Sequence, residues 1–274
     1  MSGLRSTLIV LIPLLASCPK APDKGPSEAP PRPSSAIAFD PKAQIIEPGL
    51  KDAYQAIDGG RHDTGRRMVA AYLKIGGTRQ GQAEFLLGFA AHKQDLYEEA
   101  LTHFARAVQL EPTYVATYYY QGFALFQLGH MDDARKAYEI YLGAQPDRPN
   151  AHFGLGLVAL EQDRIDEAAK YIGRASELER MRARIPKFKD DAERDIGRYL
   201  ARMADVKLRQ EDLNGARDML RESVKLVPDI PDVWNKLSRV LVRLGDDAML
   251  TPSSLKMSRL SSAVVSSQFT ENVA

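Results

Sequence analysis

Residues 87–112 read LGFAAHKQDLYEEALTHFARAVQLEP, and residues 121–146 read QGFALFQLGHMDDARKAYEIYLGAQP. Superposed, the two share a glycine, a turn former, a pair of acids, an alanine, an aromatic four residues beyond it and a closing proline. Residues 155–180, LGLVALEQDRIDEAAKYIGRASELER, repeat the pattern without the proline. Gly88, Gly122 and Gly156 stand 34 residues apart, as do Ala100, Ala134 and Ala168, and Phe104, Tyr138 and Ile172. A fixed period of this length is the mark of stacked helix pairs, each burying a face on the next. The fold class is therefore all-α, an array of antiparallel helix pairs. A surface of that kind suits holding another molecule rather than converting one.

The turn inside each pair aligns best. Asp95-Leu96-Tyr97-Glu98-Glu99-Ala100 matches Gly129-His130-Met131-Asp132-Asp133-Ala134 and Asp163-Arg164-Ile165-Asp166-Glu167-Ala168. A fourth copy is Glu211-Asp212-Leu213-Asn214-Gly215-Ala216, and a weaker one, Gly60-Arg61-His62-Asp63-Thr64-Gly65, precedes them. The first residue turns the chain and the third is apolar and docks the turn. The two acids open the second helix, where the positive end of its dipole favours them, and the alanine lets the helices approach. Phe85, Leu87, Phe89 and Ala91, then Leu101, Phe104, Val108 and Leu110, recur at helical spacing. Pro112, Pro146 and Pro228 follow second helices, where proline ends a helix cleanly.

These residues resemble the tetratricopeptide repeat, whose pattern runs through Leu-Gly, a later alanine with an aromatic four residues on, and a final proline. The resemblance covers about residues 46–245 and implies a right-handed superhelical solenoid of about five helix pairs within 46–250. The pattern departs in two places. About fourteen extra residues, near 183–196 and heavily charged, separate the third and fourth units, so either the flanking helices lengthen or a short helix intrudes. A last first-helix carries Trp234, Leu237 and Leu241, but its second helix would meet Pro252. Met257, Leu260 and Val264 leave 251–274 either a short capping helix or a Ser-rich tail.

The chain begins differently. Leu8–Ala16 is an apolar run of nine residues broken by Pro13, too short to span a bilayer and suited to the hydrophobic region of a secretory signal. It ends Leu15-Ala16-Ser17-Cys18, which resembles the bacterial lipobox, and Cys18 is the only cysteine of 274 residues. The resemblance implies that 1–17 is cleaved and that Cys18 carries lipid, with each buried methylene adding about 0.8 kcal/mol of membrane affinity. Residues 18–37, rich in proline and without an aliphatic core former up to Ser35, read as an extended tether. The expected place is the bacterial envelope, facing the periplasm, on the outer membrane rather than the inner.

Composition narrows the function further. Charge is balanced, 37 basic against 36 acidic residues, so there is no nucleic-acid footprint. No H-E-x-x-H, C-x-x-C or G-x-S-x-G is present. Gly76-Gly77-Thr78-Arg79-Gln80-Gly81 lacks the lysine of a phosphate loop and reads as a connecting turn. The five histidines share no metal-binding spacing. No catalytic residue, cofactor or metal ligand is expected.

In the repeat family the concave groove is lined by outward positions of each first helix. Carried onto this chain, these are Phe85, Phe89 and His92, then Tyr119, Tyr120, Phe123 and Phe126, then Asn150, Phe153, Leu157 and Leu160, then Arg198, Arg202, Asp205 and Arg209, with Lys236, Arg239 and Arg243 on the last helix. The expected groove is aromatic at its centre and basic toward its C-terminal end, and it docks a peptide or amphipathic segment of a protein partner. Phe85, Phe89, Tyr120 and Gly154 stand where a chaperone-tail clamp would need polar or basic groups. The layout is similar to that of pilotin-like and outer-membrane assembly lipoproteins. A non-catalytic scaffold follows, with a structural or self-assembling spacer of an envelope machine as the alternative.

Overall fold

The computed structural model describes residues 46–246. The signal segment 1–17, Cys18, the tether 18–37 and the segment 251–274 lie outside the described residues. Five helix pairs follow one another. They are α1 (Pro48–Asp58) with α2 (His62–Lys74), α3 (Gln80–His92) with α4 (Tyr97–Leu110), α5 (Ala116–Gln127) with α6 (Met131–Ala144), α7 (Pro149–Glu161) with α8 (Ile165–Arg182), and α9 (Lys189–Arg209) with α10 (Leu213–Leu226). A last helix, α11 (Pro231–Leu244), packs on α10. Each helix packs on its pair mate and on the next helix along the chain, and α1, α3, α5 and α7 lie successively side by side.

The turns inside the pairs share one backbone device. Gly60, Asp95, Gly129, Asp163 and Glu211 all take positive φ, between 56° and 81°. In each turn the next amide donates back to a carbonyl five residues earlier: Arg61 to Ala56, Leu96 to Ala91, His130 to Leu125, Arg164 to Ala159 and Asp212 to Lys207. This is the left-handed helix stop that satisfies orphan carbonyls. Glycine enters it freely and aspartate tolerates it, whereas glutamate at position 211 is the least suited of the five. Glu98 and Glu99, Asp132 and Asp133, and Asp166 and Glu167 occupy the first turns of α4, α6 and α8. In α10 the Asp212 carboxylate caps the Gly215 amide instead, at 2.8 Å.

Within a unit the core repeats as the sequence does. Ala100, Ala134, Ala168 and Ala216 are sealed between helices, with Phe104, Tyr138, Ile172 and Leu220 buried one turn on. Opposite these larger side chains the first helices carry Gly88, Gly122, Gly156 and Ala204. A Cβ added at Gly88 would stand 2.6 Å from the Phe104 ring, and one at Gly156 2.5 Å from Ile172 Cγ1. The fourth unit carries Ala204 at this position, with Leu220 in the same core cluster.

At the charged insertion both of the alternatives hold together. α8 runs to 18 residues and α9 to 21, and the short 3-10 turn Pro186–Phe188 joins them. Met181, Ile185 and Phe188 give this joint an apolar side that the repeat pattern does not include.

Candidate functional site

The aromatic residues gather where first helices meet. Phe85 and Phe89, one turn apart on α3, stack with ring centroids 5.9 Å apart. Tyr54 of α1 stacks on Phe89 at 5.6 Å, and Tyr120 of α5 meets Phe89 edge-on at 5.0 Å. Tyr114 meets Phe85 at 5.0 Å. Each phenylalanine is only 2% exposed, which corrects the expectation that these two line an open groove. First helices pack sideways on their neighbours as well as on their pair mates. A position turned away from the pair mate can therefore still face another first helix, and Phe85 and Phe89 are core between units.

The other expected groove residues divide. Tyr119, Tyr120, Phe123, Phe126, Phe153 and Leu157 are half-buried. Phe123 packs edge-on against His92 at 4.9 Å. Phe153 is covered by Tyr199 of α9, with centroids 4.4 Å apart, and the Tyr199 hydroxyl donates to Asn150 Oδ1 at 2.7 Å. Arg198, Arg202 and Arg209 are exposed, but each is paired inside the chain: Arg198 with Asp195 at 3.4 Å, Arg202 with Asp205 at 3.2 Å and Arg209 with Asp163 at 3.4 Å. Lys236 also reaches Asp205, at 2.8 Å. The expected basic end is thus a band of local ion pairs, each worth little in water.

An open cleft lies beside this seam, at the edge where second helices hand over to the next unit. Its volume is about 810 Å³, within the range of about 300–1,000 Å³ common for binding pockets. Tyr119 and Tyr120 of α5 and Tyr141 of α6 form one wall. Asp147, Arg148, Pro149 and Asn150 form the rim. Arg174, Leu178, Glu179, Met181 and Arg182 of α8 close the other side. The Tyr119 ring lies 5.1 Å from Tyr120 and 5.5 Å from Tyr141. Burial pushes the Tyr119 hydroxyl up to about 12, with Tyr141 and Asp195 adding to the shift, so at neutral pH it remains a hydrogen-bond donor.

The charges of the cleft are arranged unevenly. Arg174 reaches Asp147 at 3.0 Å and Glu177 at 3.4 Å. Arg148 donates to the side-chain oxygen of Gln145, a neutral partner. Arg182 pairs at 3.1 Å with Glu179, whose carboxylate is only 1% exposed. Burial raises the Glu179 carboxyl above its ordinary range, and Arg182 opposes the shift. Three guanidiniums and three phenols around an open space can grip an acidic group beside an aromatic or aliphatic one. Guanidiniums bind carboxylates in a forked geometry, and tyrosines supply rigid contact area. Among the described residues no group of three His, Cys, Asp or Glu side chains is placed to hold a metal ion.

Tyr119, Tyr120 and Asn150 are the residues of the cleft that the repeat pattern singled out as groove-lining. Tyr141 belongs to a second helix, which the pattern treats as core. Glu179, Met181 and Arg182 enter because α8 runs a turn longer than α4, α6 or α10, whereas Arg174 lies in the part of α8 that those helices also have. The charged insertion near Pro186 was the one sequence signal that marked this corner.

Comparison with known proteins agrees with this architecture. The family model described as tetratricopeptide repeat matches residues 121–178. Comparison with curated proteins gives no match. Among solved structures the chain is similar to Pseudomonas aeruginosa PilF, with a TM-score of 0.66 at 14% identity over 85% of this chain and 98% of that one. It is similar to PilW, described as a widely conserved type IV pilus biogenesis factor, at 0.61 and 13% identity over 82% and 94%. MamA from Desulfovibrio magneticus RS-1 superposes at 0.54 and 17% identity, over 69% and 97%. At these identities the likeness is one of fold.

Proposed function

We propose that this tetratricopeptide-repeat chain is a membrane-anchored adaptor of the bacterial cell envelope, and that it captures a protein segment without catalysing a reaction. The cleft beside Tyr119, Tyr120 and Tyr141 carries the reading. It is open, it is lined by aromatic rings, and it presents Arg148 with a neutral partner at its rim and Arg174 on its α8 side. The segment it fits bears an acidic residue next to an aromatic or aliphatic one. Aromatic and arginine anchors supply much of the binding energy at such surfaces. Phe123, Phe126, Phe153 and Leu157 would extend contact along the first helices, and Arg198, Arg202 and Arg209 would contribute only by exchanging their internal acids for the partner's.

Lipid on Cys18 would fix the chain at the membrane, outer rather than inner, with the tether 18–37 spacing the array from it. The sequence Leu15-Ala16-Ser17-Cys18 supports this anchor. The similarity to PilW, a pilus biogenesis factor, agrees with a role in assembling an envelope structure.

The experiment is a cross-linked capture from membranes with the full chain. Arg148→Glu with Arg174→Glu should lose most of the captured partner while keeping the helical circular dichroism of the parent, since Arg148 is exposed and the Arg174 side chain is 42% exposed. Undiminished capture by that folded double variant would remove the cleft from the argument. Cys18→Ala should move the chain out of the membrane fraction, and retention there would remove the lipid anchor.

A further inference from the structure

From Arg180 to Lys189 the chain reads RMRARIPKFK, five basic residues and no acid. This stretch ends α8, passes through the 3-10 turn and opens α9, so it is the part of the array that lies outside the 34-residue period. Its backbone is fixed by hydrogen bonds from Ile185 to Arg182 at 3.0 Å and from Phe188 to Ile185 at 2.9 Å. Its side chains are turned outward. Met181 is 48% exposed and Ile185 50%. Arg184, Lys187 and Lys189 are exposed and Phe188 is half-buried.

Three of the five cations have internal partners: Arg180 with Glu222 at 3.2 Å, Arg182 with Glu179 at 3.1 Å and Lys189 with Glu193 at 3.8 Å. Arg184 and Lys187 flank Ile185 and Pro186 and make no ion pair among the described residues. The Lys187 ammonium stands 5.7 Å from the centre of the Phe188 ring, and the Arg182 guanidinium 5.1 Å from it. Apolar and cationic groups therefore alternate over one exposed, hydrogen-bonded turn.

We propose that this turn is a membrane contact, seating on an anionic lipid surface independently of any lipid on Cys18. Met181, Ile185 and Phe188 would enter the boundary between headgroups and acyl chains. Arg184 and Lys187 would meet the lipid phosphates, their stems lying along the same apolar boundary. The geometry favours a bilayer over an acidic protein segment. Met181 borders the cleft, but Ile185 and Phe188 lie beyond it, so an acidic segment would neutralise the cations and still leave Ile185 in water. A bilayer supplies negative charge above apolar depth and needs no matching shape. Juxtamembrane basic residues gain from the surface potential of anionic lipid in this way.

Cys18 is the only cysteine, so a full-length Cys18→Ser chain accepts one thiol at a chosen place. An environment-sensitive nitrobenzoxadiazole label is put on that chain at Ile185→Cys, and in a second sample at Val242→Cys, an apolar site on α11 that is 58% exposed. With vesicles of phosphatidylglycerol and phosphatidylethanolamine, the label at position 185 should shift to the blue and brighten severalfold. It should stay unchanged with phosphatidylcholine, and the label at position 242 should stay unchanged with both. Adding Arg184→Gln and Lys187→Gln should raise the anionic lipid needed for the response on the order of thirtyfold at low ionic strength, from about 1 kcal/mol per basic residue. An equal response on neutral and anionic vesicles would overturn the proposal. So would an equal response at position 242, or a label at 185 that answers to polyglutamate and not to vesicles. The comparison of vesicle types needs no charge variant, and neither partner capture by the cleft nor lipidation enters it.

Discussion

Gly154→Ala should destabilise the array even though alanine is the better helix former. Gly154 lies on α7 and faces Tyr138, which belongs to the preceding unit. A Cβ at 154 would stand 2.5 Å from Tyr138 Cζ and 2.8 Å from Cε2, well inside ordinary van der Waals contact. The ring has little room to retreat. It is almost wholly buried, and on the Gly122 side a Cβ would already stand 3.0 Å from Tyr138 Cδ1. Tyr119 packs on it from a third direction, at 6.0 Å. Relief therefore requires α7 to move off α6. Overpacking of this kind costs about 1–3 kcal/mol, and the helix-propensity gain returns about 0.8–1 kcal/mol. The net loss is about 0–2 kcal/mol, or up to roughly 8 °C in melting temperature for an array of this size. Gly173→Ala on α8 is the matched comparison, because a Cβ there meets nothing within 4 Å. It should raise stability by about 0.8–1 kcal/mol. The assay is thermal and urea unfolding followed by far-ultraviolet circular dichroism on the same protein preparation. A Gly154→Ala chain that gains as much stability as the Gly173→Ala chain would refute the interlock between units.

Glu211→Gly should stabilise the chain by about 0.5–1 kcal/mol, because residue 211 holds φ at 61° where a Cβ is strained; a lower urea midpoint would count against this. Removing Arg182 alone, as Arg182→Met, strands the Glu179 carboxylate in its buried place and should cost up to about 3 kcal/mol, less than a fully buried pair because the arginine is partly in water. Adding Glu179→Met to that variant should recover most of the loss, and a double variant less stable than the single would contradict the account. His92 sits among Phe89, Tyr97, Tyr120 and Phe123 with Lys93 and Asp95 beside it, and burial lowers its pKa, with Lys93 helping and Asp95 opposing. Below a pH of about 6.5 the unfolded chain therefore takes up a proton that the folded chain resists, so stability falls with pH there and levels off below the folded pKa. His92→Phe should flatten that part of the stability profile, and an unchanged slope between the two proteins would refute the assignment.

What the sequence determined by itself is the content of one unit. The recurrence of Gly88 with Phe104, Gly122 with Tyr138 and Gly156 with Ile172 records contacts inside a helix pair, and such contacts repeat at a fixed separation along the chain. The left-handed turn residues and the closing prolines are likewise local, since each acts on its own backbone. Those features were enough to predict the helix pairs and the all-α array.

What only the tertiary structure decided is how one unit lies on the next. Phe85 and Phe89 looked outward from their own unit and are buried by Tyr54 and Tyr120 of its neighbours. Arg209 looked like part of a basic surface and is matched by Asp163 of the preceding unit, whereas Asp195 and Asp205, the partners of Arg198 and Arg202, lie three residues away on the same helix and were legible in the sequence. The cleft draws Tyr141, Arg148 and Arg174 from elements that the period treats as core or connection, and it closes only because α8 is lengthened by a turn. These arrangements depend on the angle between successive pairs and on the reach of a single extended helix. Neither quantity repeats with the sequence, so the 34-residue period carries no record of them.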